Sequence, residues 1–250
     1  QDLSRVFVAH SGGVSVIDAF TLKLVQIGDT AGDYIIDIPG GINALAIDPS
    51  ERYLYAAGQG KIHVIDLQPG TATFHQVVQS ITIDAPSSGR INDIAVSADG
   101  KRLFAAVPRT TLYGANSLVN GDKEQGDLVI VNIDAADRPA QGEANTNKFR
   151  EVIHTQHNMG VEPYKIAATT RGDRLLVTSR LDLGNGLRAV EITNNTVNGM
   201  TLKVTQINLR INEGAIGIRY LGGDGYYPSF STRMSSQVHD LDIRNASFTE

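Results

Sequence analysis

The 250-residue sequence contains no cysteine and no tryptophan, and aromatic residues make up only 6% of it. Without cysteine there is no disulfide, no thiolate nucleophile and no cysteine-based zinc site. No apolar run approaches the roughly 20 residues that a membrane-spanning helix needs, so we expect no membrane insertion. The net charge of −5 comes from interspersed acids and bases. Nucleic-acid binding needs a concentrated basic face, so this class of partner is excluded.

Glycine, in contrast to cysteine, is plentiful, with 25 residues that often separate short β-branched runs. This punctuation is typical of a chain built from many short strands. The runs recur in a fixed pattern, shown most completely by residues 90–155. There the sequence predicts strands at 92–96, 102–106, 128–133 and 150–154, with an Asp99-Gly100 turn after the first. An acid is expected to close the third strand of each unit, and Asp18, Asp66 and Asp134 hold that position.

Four short antiparallel strands per repeat are typical of a β-propeller blade, so the sequence predicts an all-β propeller of four-stranded antiparallel blades. A partial blade is expected at 1–40, complete blades at 41–84, 90–155 and 162–210, a long loop at 211–237 and the start of another blade at 238–250. The chain then supplies about four blades of a larger ring. Without the remaining blades, two blade faces would expose large apolar patches, which isolated proteins rarely tolerate.

Three segments carry a resemblance to a known family: RVFVAH at 5–10, VSVID at 14–18 and LLVTS at 175–179. They resemble the repeat of the YVTN β-propellers, named for a Tyr-Val-Thr-Asn strand. The resemblance implies a ring of about seven blades. It also implies a bacterial protein that is extracellular, on the cell surface or periplasmic. The matching residues are at core and turn positions, so the resemblance indicates the fold but not the function.

Successive turns of an antiparallel meander alternate between its two ends, so most of the long loops should share one face. The loops between second and third strands (108–126, 179–186) and the connections between blades (85–90, 155–162, 210–237) fall there. Only 135–148 decorates the opposite face. Long loops on a rigid scaffold favour a binding face for a protein or glycan partner, or for adjacent domains of a larger protein. Tolerated surface insertions are the other interpretation.

The candidate binding residues on this face are polar, basic or aromatic. They are Tyr113, Asn120, Asp122, His154, His157, Asp182, Arg219, Tyr226, Tyr227 and Phe230. Aromatic and arginine side chains carry much of the energy at interfaces, although the same residues could pin the long loop to the propeller. We expect no cofactor. Residues 120–127 loosely match a calcium loop, with a solvated polar loop as the alternative. His154 and His157 could chelate a metal only with further ligands.

A second set of candidates lies at the predicted mouth of a central channel. It consists of Asn43, Asn92, Asp93, Lys165, His239 and Asp240. Asn43, Asn92 and His239 share one predicted repeat position, so their side chains are expected to converge. Such a ring suits a propeller enzyme of lactonase or quinoprotein-dehydrogenase type, and equally a wet channel with no chemistry. The sequence lacks a Gly-x-Ser-x-Gly elbow and a phosphate-binding glycine loop. It therefore favours a non-enzymatic, exported binding or scaffold module.

Overall fold

The computed structural model is all-β and divides into two compact units, Gln1–Ile91 and Asn92–Glu250. It describes residues 4–28, 31–85, 90–109, 125–169, 172–180 and 186–207 in full, and the backbone of 215–220, 228–232 and 238–240. Within these residues the only helical element is a single short turn at Ala135–Asp137. The described residues contain no helix with the length and apolarity needed to cross a bilayer.

The first unit holds two antiparallel meanders. The first sheet has three strands in chain order: β1 (Arg5–His10), β2 (Gly13–Asp18) and β3 (Ile35–Asp37). The second sheet has four strands: β4 (Ala44–Ile47), β5 (Tyr53–Gly58), β6 (Lys61–Asp66) and β7 (Val77–Thr82). A shared core joins them, because Val14, Val16 and Ile36 of the first sheet pack with Leu54 and Ile65 of the second.

The second unit holds three further antiparallel meanders. Its first sheet contains β8 (Asp93–Val96), β9 (Arg102–Val107), β10 (Asp127–Asn132) and β11 (Val152–Gln156). Its second contains β12 (Pro163–Ala168), β13 (Arg174–Ser179), β14 (Leu187–Asn194) and β15 (Thr201–Ile207). Phe104 and Ile130 of one sheet and Ile166 and Val177 of the other share a buried core. These four-stranded antiparallel sheets confirm the predicted fold class.

The third meander of this unit departs from the expected loop at 211–237. Strands β16 (Ala215–Tyr220) and β17 (Pro228–Thr232) lie inside that range and pair with β18 (Val238–Asp240) in the order β16-β17-β18. The described part of that range is therefore strand and not loop. Because β18 is the third strand of this sheet, the segment beginning at Val238 is not the first strand of a blade.

Three strands end in the same kind of turn, which explains their boundaries. Asp18, Asp66 and Asn132 end β2, β6 and β10, and each accepts a hydrogen bond on Oδ1 from the backbone amide two residues later, at 2.9–3.2 Å. Such side-chain turns satisfy backbone donors that the sheet no longer can. The equivalent of Asp18 and Asp66 is therefore Asn132. The expected residue, Asp134, caps the following turn.

Candidate functional site

The candidate site lies at one end of the second unit, where β8, β10 and β12 begin and β9, β11 and β13 end. This is the end to which the sequence assigned the long loops, and we call it the loop end. Its described polar and aromatic residues include Asn92, Asp93, Arg109, Asp127, His157, Glu162, Tyr164, Lys165 and Arg180. Asp93 and Asp127 start strands two places apart in one sheet, so their backbones lie about 10 Å apart.

Asp127 is the centre of an ionic junction. Only 1% of its side chain is exposed, yet both of its carboxylate oxygens have partners. Oδ2 accepts from Arg109 Nε at 2.7 Å, and Oδ1 lies 2.9 Å from His157 Nδ1. A carboxylate only accepts hydrogen bonds, so the imidazole is the donor. Arg109 and Asp127 lie on either side of residues 110–126, so the junction holds the two ends of that segment together.

Glu162 and Arg180 form a second buried ion pair at the loop end. The Glu162 side chain is fully buried, and Arg180 Nε donates to its Oε2 at 3.0 Å while Nη2 contacts Oε1. The backbone amide of Arg180 also donates to the carbonyl of Glu162 at 3.0 Å. The guanidinium carbon lies 4.6 Å from the centroid of the Tyr164 ring. Arg180 is thus held by a carboxylate and an aromatic face, which fixes the position of all three side chains.

The connection from His157 to Glu162 joins these two ion pairs. Asn158, Gly160 and Glu162 adopt left-handed conformations, with φ of 63°, 92° and 61°. Backbone bonds anchor the connection, because Gly126 N donates to Gly160 O at 2.8 Å and Met159 N donates to Gly126 O at 2.9 Å. Non-glycine residues in this conformation are held there by their surroundings, and such strain clusters at functional sites. The loop end is therefore a fixed surface along this connection.

Asp93 and Lys165 form the third charged pair of the loop end. Lys165 Nζ lies 3.1 Å from Asp93 Oδ1, and the Ile166 amide donates to Oδ2 at 2.9 Å. Burial raises the pKa of Asp93, although both of these donors act in the opposite direction. The neighbouring Asn92 is buried and donates to Pro163 O at 2.7 Å, while its Oδ1 has no hydrogen-bond partner among the described residues. Burial is therefore the largest influence on the Asp93 carboxyl group, whose side chain is only 14% exposed.

Two predicted channel residues, Asn43 and Asn92, occupy equivalent backbone positions. Asn43 N donates to Ala57 O and Asn92 N donates to Ala106 O, so each asparagine stands in the same place before the first strand of its sheet. Asn43 is exposed and Asn92 is buried. His239 and Asp240 lie on β18, a third strand, and so do not occupy that repeat position. The predicted convergence of Asn43, Asn92 and His239 stays a prediction.

Six of the ten candidate binding residues on the loop face lie outside the described residues. They are Tyr113, Asn120, Asp122, Asp182, Tyr226 and Tyr227. Arg219 and Phe230 are described as backbone only, on β16 and β17. His154 lies within β11 opposite Ile130, inside the strand predicted at 150–154. Its Nε2 has no hydrogen-bond partner among the described residues, whereas His157 contacts Asp127.

The metal interpretations stay predictions. Across the described ranges, no group of three or more histidine, aspartate or glutamate side chains is arranged to hold a metal ion. Most of the predicted calcium loop lies outside those ranges, and Asp127 at its end has both carboxylate oxygens on Arg109 and His157. A calcium ion that used Asp127 would have to displace one of these partners.

Five residues of the site were not predicted from the sequence: Arg109, Asp127, Glu162, Tyr164 and Arg180. A usable signal was present, since each charged residue stands at the edge of an apolar strand, as Asp127 does before LVIV. A charge at such an edge is buried by its neighbours and must find a partner. The identity of that partner depends on tertiary structure, so the sequence alone does not give the pairs.

At the opposite end of the second unit, a buried arginine is held by asparagine side chains instead of by a carboxylate. Arg102 is buried, and its guanidinium donates to Asn132 Oδ1 at 2.6 Å and to Asn195 Oδ1 at 2.7 Å. Burial lowers the pKa of Arg102, while more distant carboxylates partly offset this. Beside it, Lys101 Nζ pairs with Asp134 at 3.2 Å. This end therefore contains a lysine–aspartate pair closely comparable with that of Lys165 and Asp93.

Comparison with solved structures adds two similar proteins. One, from Bacteroides uniformis ATCC 8492, is named as a proposed 6-phosphogluconolactonase; it shares 16% identity at a TM-score of 0.63, over 100% of this chain and 66% of its own. The other is the periplasmic gluconolactonase PpgL of Pseudomonas aeruginosa, with 13% identity and a TM-score of 0.64, over 98% of this chain and 69% of its own.

These likenesses bear on the fold alone, because the identities are so low. The chain spans about two thirds of the length of either structure. No protein-family model matches the sequence, and no curated protein matches it. Together with the antiparallel meanders of both units, the structural likenesses show that the chain has a β-propeller fold.

Proposed function

We propose that the chain is a non-enzymatic binding propeller that receives a protein or glycan partner at the loop end. One observation carries the proposal: each acid there is buried beneath its basic partner. Asp127 is 1% exposed against 65% for His157, and Asp93 is 14% exposed against 39% for Lys165. Lys165 therefore presents a hydrogen-bond donor to solvent, and His157, whose Nδ1 donates to Asp127, presents Nε2, which accepts a hydrogen bond when the ring is neutral. Such a surface suits a partner that offers both acceptors and donors, such as the hydroxyl groups of a glycan or the polar side chains of a protein.

The rigidity of the loop end also favours binding. Asp127 and Glu162 have both carboxylate oxygens engaged by basic side chains, and the connection between them is fixed by backbone bonds. A surface that is ordered before binding loses little conformational entropy when a partner arrives. Carboxylates that hold this surface in place are poorly suited to exchange protons with a substrate.

The type of propeller and its location belong to the same proposal. The segments at 5–10, 14–18 and 175–179 support a YVTN-type repeat. That type implies an exported bacterial protein, at the cell surface or in the periplasm. One of the two similar structures is itself named as periplasmic, which agrees with this location.

Two matched lysine variants test the binding proposal. Lys165→Ala removes a donor from the loop end, and Lys101→Ala removes the comparable lysine from the opposite end, where its aspartate lies 3.2 Å away instead of 3.1 Å. Both variants and the parent are immobilised and exposed to a glycan array and to a bacterial envelope protein fraction. We expect Lys165→Ala to weaken capture of a specific ligand about tenfold, the loss typical of an interface residue worth more than 1 kcal/mol. Equal capture by the two variants would overturn the assignment to the loop end.

Lactone hydrolysis is a second candidate function, favoured by Asp93. Burial raises the pKa of this carboxyl group beside Lys165, and perturbed acids of this kind are candidates for general acid–base roles. Two similar structures are named as lactonases. The test is hydrolysis of glucono-δ-lactone, with and without divalent cations, by the parent and by Asp93→Asn. Turnover that disappears in Asp93→Asn, while Asp134→Asn keeps it, would replace the binding proposal with this one.

A further inference from the structure

The turn between β14 and β15 contains an exposed asparagine that is followed by a glycine, Asn198-Gly199. Within the described ranges, Asn198 is the one asparagine with glycine after it. Two more such pairs in the sequence, at 120–121 and 185–186, have their asparagines outside those ranges. Because glycine has no Cβ atom, the chain around it is free to adopt many conformations and its backbone nitrogen is unhindered. The turn therefore places an amide side chain next to an accessible backbone nitrogen.

Neither of these two groups is firmly held by its surroundings. In the part of the chain that the structure describes, the Asn198 side chain has no hydrogen-bond partner. The Gly199 backbone nitrogen donates to Thr196 O at 3.4 Å, which is longer than the roughly 2.7–3.2 Å of an ordinary N–H···O bond. The side-chain carbonyl carbon of Asn198 and the nitrogen of Gly199 are therefore able to approach each other.

Two other asparagines at this turn are placed differently. Asn195 Oδ1 accepts from Arg102 Nε at 2.7 Å, and the Asn195 carbonyl oxygen accepts from Arg102 Nη2 at 2.9 Å. Asn194 pairs with Thr201 at the end of β14. Each of the two is followed by a residue with a Cβ atom, which crowds the backbone nitrogen. Asn194 and Asn195 are thus internal controls for the chemistry of Asn198.

We propose that Asn198 is a modification site, at which spontaneous deamidation converts the asparagine to aspartate and isoaspartate. The Gly199 nitrogen bonds to Cγ of Asn198 and the Cγ–Nδ2 bond breaks. The side-chain nitrogen leaves as ammonia with the proton that the glycine nitrogen gives up, and water then opens the cyclic imide at either carbonyl. Asparagine is among the residues that are lost most readily with heat. The inference does not depend on the proposed function, because this turn lies at the end of the second unit opposite the loop end.

The isoaspartate product changes the main chain directly before a buried residue. Its backbone runs through the side-chain carbon, which adds one methylene group between residues 198 and 199. Met200 follows at once; it is 7% exposed and belongs to the core that also contains Phe104 and Ile130 of the neighbouring sheet. Because Arg102 holds the turn at Asn195, the added length falls on the Met200 side. The aspartate product keeps the normal spacing and only adds a negative charge to an exposed turn.

One tryptic peptide, residues 189–203, contains Asn194, Asn195 and Asn198 and so includes its own controls. The parent and Gly199→Ala are incubated at physiological temperature and mildly alkaline pH, and fragment-ion mass spectrometry locates the gain of one mass unit. We expect Asn198 to convert about tenfold faster than the other two, and Gly199→Ala to slow it about tenfold, because the new Cβ hinders the nitrogen. That Cβ would meet only side-chain atoms of Thr196 and Asn194, at 3.0 and 3.4 Å, so Gly199→Ala should fold.

Equal conversion of the three asparagines, or an unchanged rate in Gly199→Ala, would overturn the proposal. The same samples test the effect on Met200. During incubation the parent should lose roughly 2–4 °C more of its thermal unfolding midpoint than Gly199→Ala, which keeps the pairs at 120–121 and 185–186. Fresh Asn198→Asp should unfold with the fresh parent. If Asn198→Asp unfolds as early as the incubated parent, the added charge and not the longer main chain causes the loss.

Discussion

Asp93 and Asp66 are carboxyl groups whose surroundings shift the pKa in opposite directions, upward for Asp93 and downward for Asp66. Burial raises the pKa of Asp93, so the folded chain holds its proton more tightly than the unfolded chain does. Stability contributed by this group is lost as pH rises from 3.8 through the raised value. Asp93→Asn removes that loss, so its unfolding free energy relative to the parent should increase over this interval. Urea midpoints measured across the interval test the sign.

Asp66→Asn is the control of opposite sign. Burial alone would raise the pKa of Asp66, but hydrogen bonds from Thr73, Gln68 and Thr71 outweigh it and lower the pKa. The stability that Asp66 contributes is present above 3.8 and is lost as pH falls through the lowered value. Relative to the parent, Asp66→Asn should therefore become less stable as pH rises. Identical pH profiles for the two variants would contradict both assignments.

Arg180 is predicted to matter more for stability than an exposed arginine in a similar pair. Removal of one partner from a buried ion pair costs about 3–5 kcal/mol, because the other charge stays in a poorly solvating environment. We expect Arg180→Met to lose about this much, and Arg180→Met with Glu162→Gln to recover most of it. Arg5→Met, at the exposed pair with Asp18, should cost no more than about 1 kcal/mol. Urea unfolding measures all three, and equal losses for Arg180→Met and Arg5→Met would refute the prediction.

At the scale of the strand, Gly126 fixes how closely β10 approaches the connection that leads to β12. A Cβ atom at this position would collide with the Pro163 ring and with the Val107 carbonyl oxygen, neither of which can move freely. We expect Gly126→Ala to lose about 1–3 kcal/mol, as overpacked sites do. Gly199→Ala is the control, because its nearest neighbour is a side-chain oxygen of Thr196 at 3.0 Å, and it should lose less than about 1 kcal/mol. A thermal unfolding midpoint unchanged in Gly126→Ala would contradict this account.

The repeat could be predicted from the sequence because strand alternation and turn residues act locally. The strands of the second sheet follow from its Val, Ile, Tyr and Ala runs, and Asp18 and Asp66 each stand at the end of a strand, β2 and β6. The error at Asp134 has a physical reason: an asparagine makes the same turn as an aspartate. In the third repeat Asn132 also accepts from the buried Arg102, which an acid-based alignment overlooks.

The candidate site was less predictable than the strands. Asp93 and Lys165 were singled out from the sequence as separate channel residues, and the structure shows them as a pair across 72 positions. Pairs of this kind depend on how one meander lies on the next, which no local pattern encodes. Strands β16 and β17 were missed for a related reason. Glycine-rich segments such as 215–225 carry little alternation, so they resemble loops in sequence.

At the scale of the whole molecule, charge and apolar surface act on solubility together. The chain has a calculated isoelectric point of about 5.7, where mutual repulsion between molecules disappears. The exposed apolar side chains of the first sheet, which include Val6, Val8 and Ile35, then have no long-range repulsion to keep them from other apolar surfaces. In addition, the turn after β2 exposes Phe20 and Leu22 at 81% and 80%, with Leu22 in a left-handed conformation at φ 56°. Exposed patches of this kind are where association begins.

Light scattering by the 250-residue chain should therefore be maximal near pH 5.7 and low at about pH 8, where repulsion returns. The double variant Phe20→Ser with Leu22→Ser keeps the isoelectric point and removes two exposed apolar side chains, so it should scatter less near pH 5.7. Val77→Ser with Val78→Ser is the control, since these valines are only 37% exposed and lie on β7. If all three proteins scatter equally at that pH, loss of charge alone drives the association and the apolar surface of the first sheet has no part in it.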